Sequence, residues 1–497
     1  MPVDEVVDSL FIGGERVPSD GGRPRQLVAP ATEEVFAESR DPSLADADRA
    51  VSAAHGAVVD GRWANLPVDE RARVVLAALD AVQARVDETA VLAAHEMGAP
   101  VSITRMMTGV VGGVIRGMAE NAMRMPDVEP GTGLWEYEIQ RDPVGVVLDL
   151  VPWNSPATAT MMKSAHALLA GCSVISKPPP TAPLAVRAWA EALQDAGLPR
   201  GVYSILPADV DVSEYLVAHP QVDLVVFTGG TAIGRRVAAS CGANLKRVVL
   251  ELGGKSAAIV LDDADLQLAV DGVSSGVYFN SGQICSALSR LIVPKDAVDE
   301  VVAKLRVKAD GVIIGDPLED KTTMGPMATQ GHYERVLACV AQGQAEGARL
   351  AYGGSRPEGI ERGWYISPAL FVADNSQSIA REEIFGPVVT VIPHHGEDDA
   401  VRIANDSAYG LGGSVFSADP ERARAVASRM DTGSVTINGY TTNLLAPRDP
   451  HKSSGIGSIT GPAGYQSFRS SRVVNVRARQ GAWTPGALFA KSSSADD

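Results

Sequence analysis

Cysteine is scarce in this sequence, and its spacing excludes two common kinds of site. Only four cysteines occur among the 497 residues, and no two of them stand in a CxxC or CxxH arrangement. Neither a structural zinc site nor a disulfide framework is therefore indicated. A cysteine in such a chain is usually a small buried hydrophobe, and we expect this of Cys172, Cys241 and Cys339. Cys285 is set apart by the residues around it.

Long apolar runs and an excess of basic residues are also absent. No apolar stretch approaches the roughly 18 residues that a membrane-spanning helix needs. Residues 1–5 are acidic and lack the basic segment of a signal peptide, so we expect a cytoplasmic protein. The net charge of −16 argues against binding to nucleic acid or to an anionic membrane, because both need clustered Lys and Arg.

Short apolar runs alternate with helical stretches from residue 144 onward. Segments 156–170 and 183–196 are long enough for crossover helices. Strands and helices alternating at this spacing predict an α/β fold with a doubly wound, Rossmann-like parallel sheet. The runs that are typical of buried strands cover residues 144–151, 172–176, 202–206, 223–227, 245–250, 257–261 and 291–294.

The same patterns divide the chain into three parts. Residues 1–124 and 144–252 are predicted to form a Rossmann-like domain, with helices over 45–95, and residues 253–446 a second α/β domain. Residues 125–143 and 465–497 would form a small β arm with a C-terminal tail. Apolar and polar residues alternate in 135–141 and 472–477, as in half-exposed strands. We expect two isolated strands that pair with another subunit, in a homodimer or homotetramer.

Four short segments carry the chemistry of this chain. Gly282-Gln283-Ile284-Cys285 offers a thiol, and Glu251-Leu252-Gly253-Gly254-Lys255 offers a carboxylate. Val151-Pro152-Trp153-Asn154 and Glu382-Glu383-Ile384-Phe385-Gly386-Pro387 complete the set. A thiol can form a covalent adduct, and a carboxylate can activate the water that releases it. In order and rough spacing the segments resemble those of the aldehyde dehydrogenase superfamily, over nearly the whole chain.

The resemblance implies a nicotinamide-dependent enzyme of the hydrolytic, non-acylating branch. The first domain would bind the dinucleotide, and the second would be catalytic. Cys285 would be the nucleophile, Asn154 the oxyanion donor and Glu251 the general base for deacylation. Loss of one oxyanion donor costs about 2.7–4 kcal/mol in comparable enzymes. Branches that transfer the acyl group to coenzyme A generally lack a glutamate at this position, so Glu251 favours hydrolysis to a free acid.

Two of these residues also have a structural interpretation. Asn154 stands two residues before Pro156, so it could end a strand and cap the following helix. Glu251 precedes two glycines and could be a strand-end carboxylate beside a turn. For Asn154, the capping role and the oxyanion role are compatible with each other.

The segment from Phe227 to Gly234 resembles the family's dinucleotide loop, because it follows a predicted strand and opens a helix whose N–H groups can meet a pyrophosphate. The family usually has Ser where this chain has Gly230. Lys177 resembles the lysine at the adenosine ribose, but Pro180 stands where the NAD-binding pattern has Glu. We expect NAD, with NADP as the alternative, and no metal. The implied cofactor contacts are Trp153, Lys177, Thr228, Gly229, Gly230, Gly234, Leu252, Glu383 and Phe385.

A wide substrate channel is predicted beside Asn154 and Cys285. Family members suited to small aldehydes carry bulky aromatics there, whereas this chain has small or flexible side chains and Phe279 is the only aromatic we place nearby. We expect a bulky or medium-to-long-chain aldehyde. Residues around Met106 and Met107, or the tail Ala487-Leu488-Phe489 of a neighbouring subunit, could instead refill the space. The predicted channel residues are Ser155, Thr158, Met162, Phe279, Ile284 and Ser286.

The sequence therefore predicts an NAD(P)-dependent aldehyde dehydrogenase that acts through a cysteine thiohemiacetal and thioester. A cofactor-independent cysteine hydrolase or esterase would use the same thiol, but no histidine lies in the four segments to serve as its base. A structural protein that kept the fold and lost the activity is the other alternative, and the occupied catalytic positions argue against it.

Overall fold

The computed structural model describes residues 6–7, 9–133 and 135–478. Pro156 begins α5 at a position that suits its fixed φ and missing N–H. Two short 3-10 helices cover Phe279–Gly282 and Lys295–Ala297. The α-helices of the described residues are α1 Leu44–Asp60, α2 Val68–Ala84, α3 Val86–Met97, α4 Val101–Arg124, α5 Pro156–Leu169, α6 Arg187–Asp195, α7 Val210–Ala218, α8 Thr231–Ala243, α9 Leu266–Val277, α10 Val298–Asp310, α11 Gln330–Ala345, α12 Ser378–Arg381, α13 Glu397–Asn405, α14 Pro420–Ala427 and α15 Gly461–Ser467.

The strands include all seven that the apolar runs predict, with ends that differ by one or two residues. The strands of the described residues are β1 Val6–Val7, β2 Ser9–Ile12, β3 Glu15–Pro18, β4 Pro24–Val28, β5 Val35–Arg40, β6 Val128–Thr132, β7 Trp135–Pro143, β8 Val146–Leu150, β9 Ser173–Lys177, β10 Tyr203–Ile205, β11 Leu224–Thr228, β12 Arg247–Glu251, β13 Ala257–Val260, β14 Arg290–Pro294, β15 Arg349–Gly353, β16 Ala369–Val372, β17 Val388–His394, β18 Tyr409–Gly410, β19 Gly413–Phe416, β20 Val435–Ile437, β21 His451–Lys452, β22 Gly455–Ile456 and β23 Arg469–Ala478.

An eight-stranded sheet runs in the order β22-β12-β11-β8-β9-β10-β2-β3. Its central strands from β12 to β10 are parallel, and antiparallel strands cover both edges. The chain proceeds from β8 to β9 and β10, then returns to β11 on the other side of β8. The strand order therefore reverses between β8 and β11. In such sheets ligands bind at the carboxyl ends of the strands that flank the reversal.

Both faces of this sheet are buried. Along β8, Val147 packs into the core formed with α2, α4, α5 and α6, whereas Val146 and Leu148 pack into the core formed with α1, α7 and α8. A strand buried on both faces needs apolar residues at nearly every position, which explains the continuous apolar runs. The predicted α/β fold with a doubly wound, Rossmann-like sheet is confirmed.

A second sheet runs in the order β15-β16-β17-β14-β13-β19-β20, and its strands from β16 to β20 are parallel. It too is covered on both faces, since Ala258 and Val260 of β13 enter one core while Ala257 and Ile259 enter another. Cys285 lies between α9 and β14 of this unit. Glu251 therefore belongs to the first sheet, and Cys285 belongs to the unit built around the second.

The two alternating segments of the arm do not form isolated strands, so that prediction is wrong. β7 is the central strand of a three-stranded antiparallel sheet, with β23 on one side and β6 on the other. Val473 pairs with Ile139 in this sheet. Both edges of β7 are therefore hydrogen-bonded within the chain, and the outer edges of β23 and β6 have no partner strand among the described residues.

The helical stretch over residues 69–95 is divided at Arg85, which ends α2 and precedes α3. Neither Gly nor Pro marks this break. The chain turns at Arg85, whose φ of −111° and ψ of 23° lie in the bridge region between the helical and extended conformations. Among the described helices, none is long and apolar enough to cross a membrane.

Candidate active site

Cys285 follows a tight left-handed turn. Asn280, Ser281 and Gly282 all have positive φ, at 47°, 57° and 72°, a conformation that non-glycine residues adopt at a cost. A Cβ on Gly282 would lie 2.2 Å from the carbonyl carbon of Gly386. Glycine is therefore required because the backbone of the Glu-Ile-Phe-Gly-Pro segment packs directly against this turn.

The side-chain amide of Asn154 is fixed toward the cysteine loop. Its Nδ2 donates to the backbone carbonyl oxygen of Gln283 at 2.7 Å, and the backbone carbonyl oxygen of Asn154 accepts from Nδ2 of Asn280 at 3.0 Å. An amide nitrogen carries two hydrogens, so the second N–H is available to a group bound near Cys285. The capping interpretation is wrong, because Ser155 is the N-cap of α5 and no side-chain cap bond forms there in the described structure.

Glu251 ends β12 and is buried against an arginine that the four sequence segments do not include. Its Oε2 accepts from Nη2 of Arg448 at 3.0 Å, and the two side chains are 4% and 11% exposed. Burial raises the pKa of Glu251, and the nearby guanidinium opposes that rise. The carboxylate is therefore held in an ion pair close to the cysteine.

The thiol of Cys285 lies within electrostatic reach of both members of this pair. Burial raises the pKa of Cys285, Arg448 lowers it, and Glu251 and Glu383 raise it further. By contrast, burial raises the pKa of the Cys172 thiol to about 12 without a catalytic group nearby. Cys172 and Cys241 are buried as expected, whereas Cys339 is partly exposed.

Glu383 and Phe385 contact residues of two of the other segments. Oε1 of Glu383 accepts from the backbone N–H of Gly254 at 2.9 Å, and a Cβ on Gly253 would lie 2.3 Å from Oε2. Phe385 has a φ of 60°, and its ring packs edge-on to Trp153 at 5.3 Å. A strained aromatic held in this way marks a functional site more often than a structural one.

The loop after β11 leads into the N-terminus of α8. Gly230 is the N-cap of α8, so the first N–H groups of that helix point out of the loop. A Cβ on Gly230 would meet no atom of the described chain within 4 Å, whereas one on Gly234 would lie 2.4 Å from Leu252. The loop therefore has room for a ligand at Gly230 and packs tightly at Gly234.

Lys177 stands at the carboxyl end of β9, where a nucleotide ribose would reach the sheet. Burial lowers its pKa to about 8, while Asp149 and Asp209 favour the charged form. Asp209 caps α7 and pairs with Arg25 at 3.0 Å. Pro180 leaves no carboxylate in the strand-end segment, but Asp209 brings one near the lysine.

Of the six predicted channel residues, two are buried and four, including Ser155, are partly buried. Thr158 is buried, and its Oγ1 donates to the carbonyl oxygen of Ser155 at 3.3 Å. Ser286 is also buried, and its hydroxyl hydrogen-bonds to Tyr440 at 3.2 Å and to Thr442 at 3.1 Å. Phe279 is therefore not the only aromatic near the nucleophile, and that expectation is wrong. Met162, Phe279 and Ile284 are partly buried.

Comparison with known proteins decides the family. The sequence profile described as "Aldehyde dehydrogenase family" matches residues 17–474. The chain belongs to the aldehyde dehydrogenase family. The predicted family and reaction class, aldehyde oxidation by an oxidoreductase, are confirmed.

Named relatives of this aldehyde dehydrogenase cover most of its length. A geranial dehydrogenase from Castellaniella defragrans is 40% identical over 93% of this chain and 98% of its own. A 3-succinoylsemialdehyde-pyridine dehydrogenase from a Pseudomonas species is 39% identical over 94% of this chain and 98% of its own.

Solved structures of the family share the fold closely. An aldehyde dehydrogenase from Mycobacterium tuberculosis in complex with NAD+ matches with a TM-score of 0.93 and 37% identity, over 96% of this chain and 99% of that one. An aldehyde dehydrogenase from Pseudomonas syringae, in complex with NAD+ and octanal, matches with a TM-score of 0.92 and 36% identity, over the same shares of the two chains. These NAD+ complexes support the prediction of NAD as the cofactor.

Three site residues escaped the sequence-based prediction: Arg448, Tyr440 and His332. His332 packs against Trp153 with ring centroids 4.7 Å apart, and its Nε2 is 2.7 Å from the carbonyl oxygen of Phe385. Arg448 follows Pro447, outside the four segments, and had no local signal. Tyr440 had no local signal.

Proposed function

We propose that this aldehyde dehydrogenase oxidises an aldehyde to a free carboxylic acid, with NAD as the oxidant and Cys285 as the covalent nucleophile. One observation carries the proposal. Three segments place the amide of Asn154 on the backbone of Gln283, two residues before Cys285, and the carboxylate of Glu251 close enough to raise the pKa of the Cys285 thiol. The dinucleotide-binding domain would comprise residues 1–124 and 144–252. The catalytic domain would comprise residues 253–446.

In the proposed first step the thiolate of Cys285 attacks the aldehyde carbon, and the carbonyl oxygen becomes negatively charged. The second N–H of Asn154 stabilises that oxygen, and its orientation is already held by the bond to Gln283. NAD, which the loop after β11 and the side chains of Glu383 and Phe385 would hold, would supply the acceptor for the hydride of the former aldehyde carbon. The C–S bond remains, so Cys285 then carries a thioester.

Glu251 would complete the reaction. Its carboxylate takes a proton from water, the resulting hydroxide adds to the thioester carbon, and the C–S bond breaks to release a carboxylic acid and the thiolate. Oε1 of Glu251 forms no hydrogen bond of good geometry to the described residues, so it can accept that proton. The backbone of Ile459 lies close enough to favour the ionised form.

Two measurements separate this proposal from the alternatives. Reduced-cofactor absorbance on adding aldehyde, with one carboxylate formed per cofactor and no requirement for coenzyme A, supports it. Cleavage of esters without any cofactor-linked oxidation would favour the hydrolase. His332 is a poor base for that reaction, because burial lowers its pKa and its Nε2 is engaged with the carbonyl oxygen of Phe385. Failure to bind NAD in calorimetry would favour a silent structural protein.

Cofactor discrimination should be weak and lean toward NAD. Pro180 offers no donor to a 2′-phosphate, and Asp209 near Lys177 would repel one. We expect kcat/KM for NAD to exceed that for NADP by no more than about tenfold, or 1.4 kcal/mol. Asp209→Asn should move the ratio toward NADP, whereas Asp211→Asn on the same exposed helix start should not. A clear NADP preference in the unmodified enzyme would contradict this.

Straight-chain aldehydes should become better substrates as they lengthen. Each methylene that is buried contributes up to about 0.8 kcal/mol, which is up to about fourfold in kcat/KM. The geranial dehydrogenase and the octanal complex among the relatives support this expectation. Met162→Trp should shift the optimum to shorter chains.

The alternative hypothesis is that residues around Met106, or the tail of a neighbouring subunit, fill the substrate channel. A substitution at Met106 is the control for that hypothesis. Met106 is 51% exposed, so Met106→Ala should leave the chain-length series unchanged. The segment Ala487-Leu488-Phe489 lies outside the described residues. A series that peaks at two or three carbons would show that the channel is filled and would reject the wide-channel proposal.

We also propose that the enzyme is a homodimer or homotetramer. The outer edge of β23 is unpaired within the described chain, and an exposed edge is a liability on a monomer. Val476, on this strand, is 59% exposed. Light scattering at micromolar concentration should give a multiple of 52.0 kDa. Val476→Asp should weaken the association, and Val59→Asp on α1 should not. A monomer mass would contradict the proposal.

A further inference from the structure

The ion pair between Arg448 and Glu251 is the feature that the reaction described above does not explain. Both side chains are almost fully buried, and their charged atoms are 3.0 Å apart. Placing a guanidinium beside a general base makes that base weaker, because the cation favours the ionised carboxylate over the protonated one. The position of Arg448 beside Glu251 therefore requires a functional explanation in addition to packing.

The ion pair has one hydrogen bond and leaves one polar atom of each side chain without a partner among the described residues. Nη2 of Arg448 binds Oε2 of Glu251, whereas Nε of Arg448 and Oε1 of Glu251 are buried without a hydrogen bond in the described part of the chain. Arginine and carboxylate groups frequently pair through two parallel N–H···O bonds, whereas this pair has a single contact. One contact fixes the carboxylate and leaves its other oxygen for chemistry.

The charged and titratable groups around the pair come from several elements. Arg448 faces Glu251, Cys285 and Tyr440. Glu251 also faces Lys163 of α5, and Cys285 also faces Glu383. Lys163 is itself paired with Asp149 at 2.7 Å. Of the cations named here, Arg448 is therefore the one that acts on both the nucleophile and the base, and two carboxylates oppose it at the thiol.

We propose that Arg448 is a positioning residue that holds Glu251 ionised with one oxygen free and stabilises the thiolate of Cys285, so that one cation prepares both the nucleophile and the base. This proposal rests on the function proposed above for the two residues. Removal of the cation disfavours both anions. The pKa of Cys285 and the pKa of Glu251 should then both rise.

Alkylation of Cys285 by iodoacetamide as a function of pH tests the first half. The reaction reports the thiolate and needs neither aldehyde nor NAD, so its outcome is independent of whether the enzyme oxidises aldehydes. Arg448→Met should move the midpoint upward by about one pH unit or more, with roughly tenfold slower alkylation below the midpoint. Arg448→Lys should recover much of the shift. Arg362→Met, an exposed arginine paired with Glu34, is the control and should leave the midpoint unchanged.

The acidic limb of steady-state turnover tests the second half. In Arg448→Met that limb should also move to higher pH, and Arg448→Lys should move it back. Circular dichroism and NAD affinity establish that each variant is folded. Folded variants whose two midpoints stay within about 0.3 units of the unmodified enzyme would overturn the proposal, as would equal shifts in Arg448→Lys and Arg448→Met. If Arg448→Met does not fold, Arg448→Lys and Arg448→Gln decide the question by the same two midpoints.

Discussion

Replacing Cys285 by serine is expected to abolish aldehyde oxidation, with a fall in kcat on the order of 10⁴-fold or more, as when other covalent nucleophiles are removed. A serine hydroxyl is far less acidic than a thiol, and the site has no free histidine in its described part to deprotonate it. Stopped-flow measurement of reduced cofactor should show neither a burst nor a steady phase. NAD affinity should stay within about threefold of the unmodified value.

Cys339→Ser is the matched control, because Cys339 is also a partly exposed cysteine. It should retain its activity, and iodoacetamide should still inactivate it. If Cys285→Ser kept most of its turnover, or if Cys339→Ser lost it, the assignment of the nucleophile would be wrong.

Replacing Glu251 by glutamine should separate the two halves of the reaction. Hydrolysis of the thioester should slow by about 10²- to 10⁴-fold, the usual contribution of a general base. Formation of the thioester needs no base at this position. A burst of reduced cofactor should therefore persist and be followed by very slow turnover, and mass spectrometry should find the acyl group on Cys285.

The pH dependence provides a second test of Glu251. Burial raises its pKa, and only the ionised form accepts a proton from water. Turnover should therefore fall as the pH drops through that raised pKa, at a higher pH than an exposed glutamate would give, and this limb should vanish in Glu251→Gln. Glu214→Gln, an exposed carboxylate paired with Arg236, should keep both the rate and the limb. An equal fall of the burst and the steady phase would reject Glu251 as a selective deacylation base.

Glu251 and Arg448 act on the pKa of the Cys285 thiol in opposite directions. Glu251 raises the pKa of Cys285, so Glu251→Gln should make the thiol more reactive to iodoacetamide near neutral pH. Loss of Arg448 should do the opposite. The contrast distinguishes an electrostatic arrangement from a loss of packing, because a packing defect would lower reactivity in both variants.

The strands of both sheets could be predicted because each is buried on both faces. Such strands need a continuous apolar run, as in β8 and β9, and the run is visible in the sequence. The break at Arg85 was not visible, since neither Gly nor Pro marks it. The arm was only half predicted: the alternation indicated strands but could not show that β7 and β23 pair with each other across more than 300 residues.

Within the site, local motifs could indicate residue types but not contacts. Asn154 suited a helix cap and an oxyanion donor equally well by sequence, and the contact with Gln283, 129 residues away, decided against the cap. Gly282 suggested close approach by an unspecified group, which the structure identifies as the backbone of Gly386. Both decisions needed segments that meet only in three dimensions.

The sequence by itself determined the fold class and the family, and it predicted Cys285 as the nucleophile, because each depends on short-range patterns: buried apolar runs, glycine turns and four compact motifs. The tertiary structure alone decided what surrounds the nucleophile. Arg448 is 197 residues from Glu251, and Tyr440 is 154 residues from Ser286, and no local pattern links them. Electrostatic and hydrogen-bonding partners are selected by distance in space, and chain folding places distant residues a few ångströms apart.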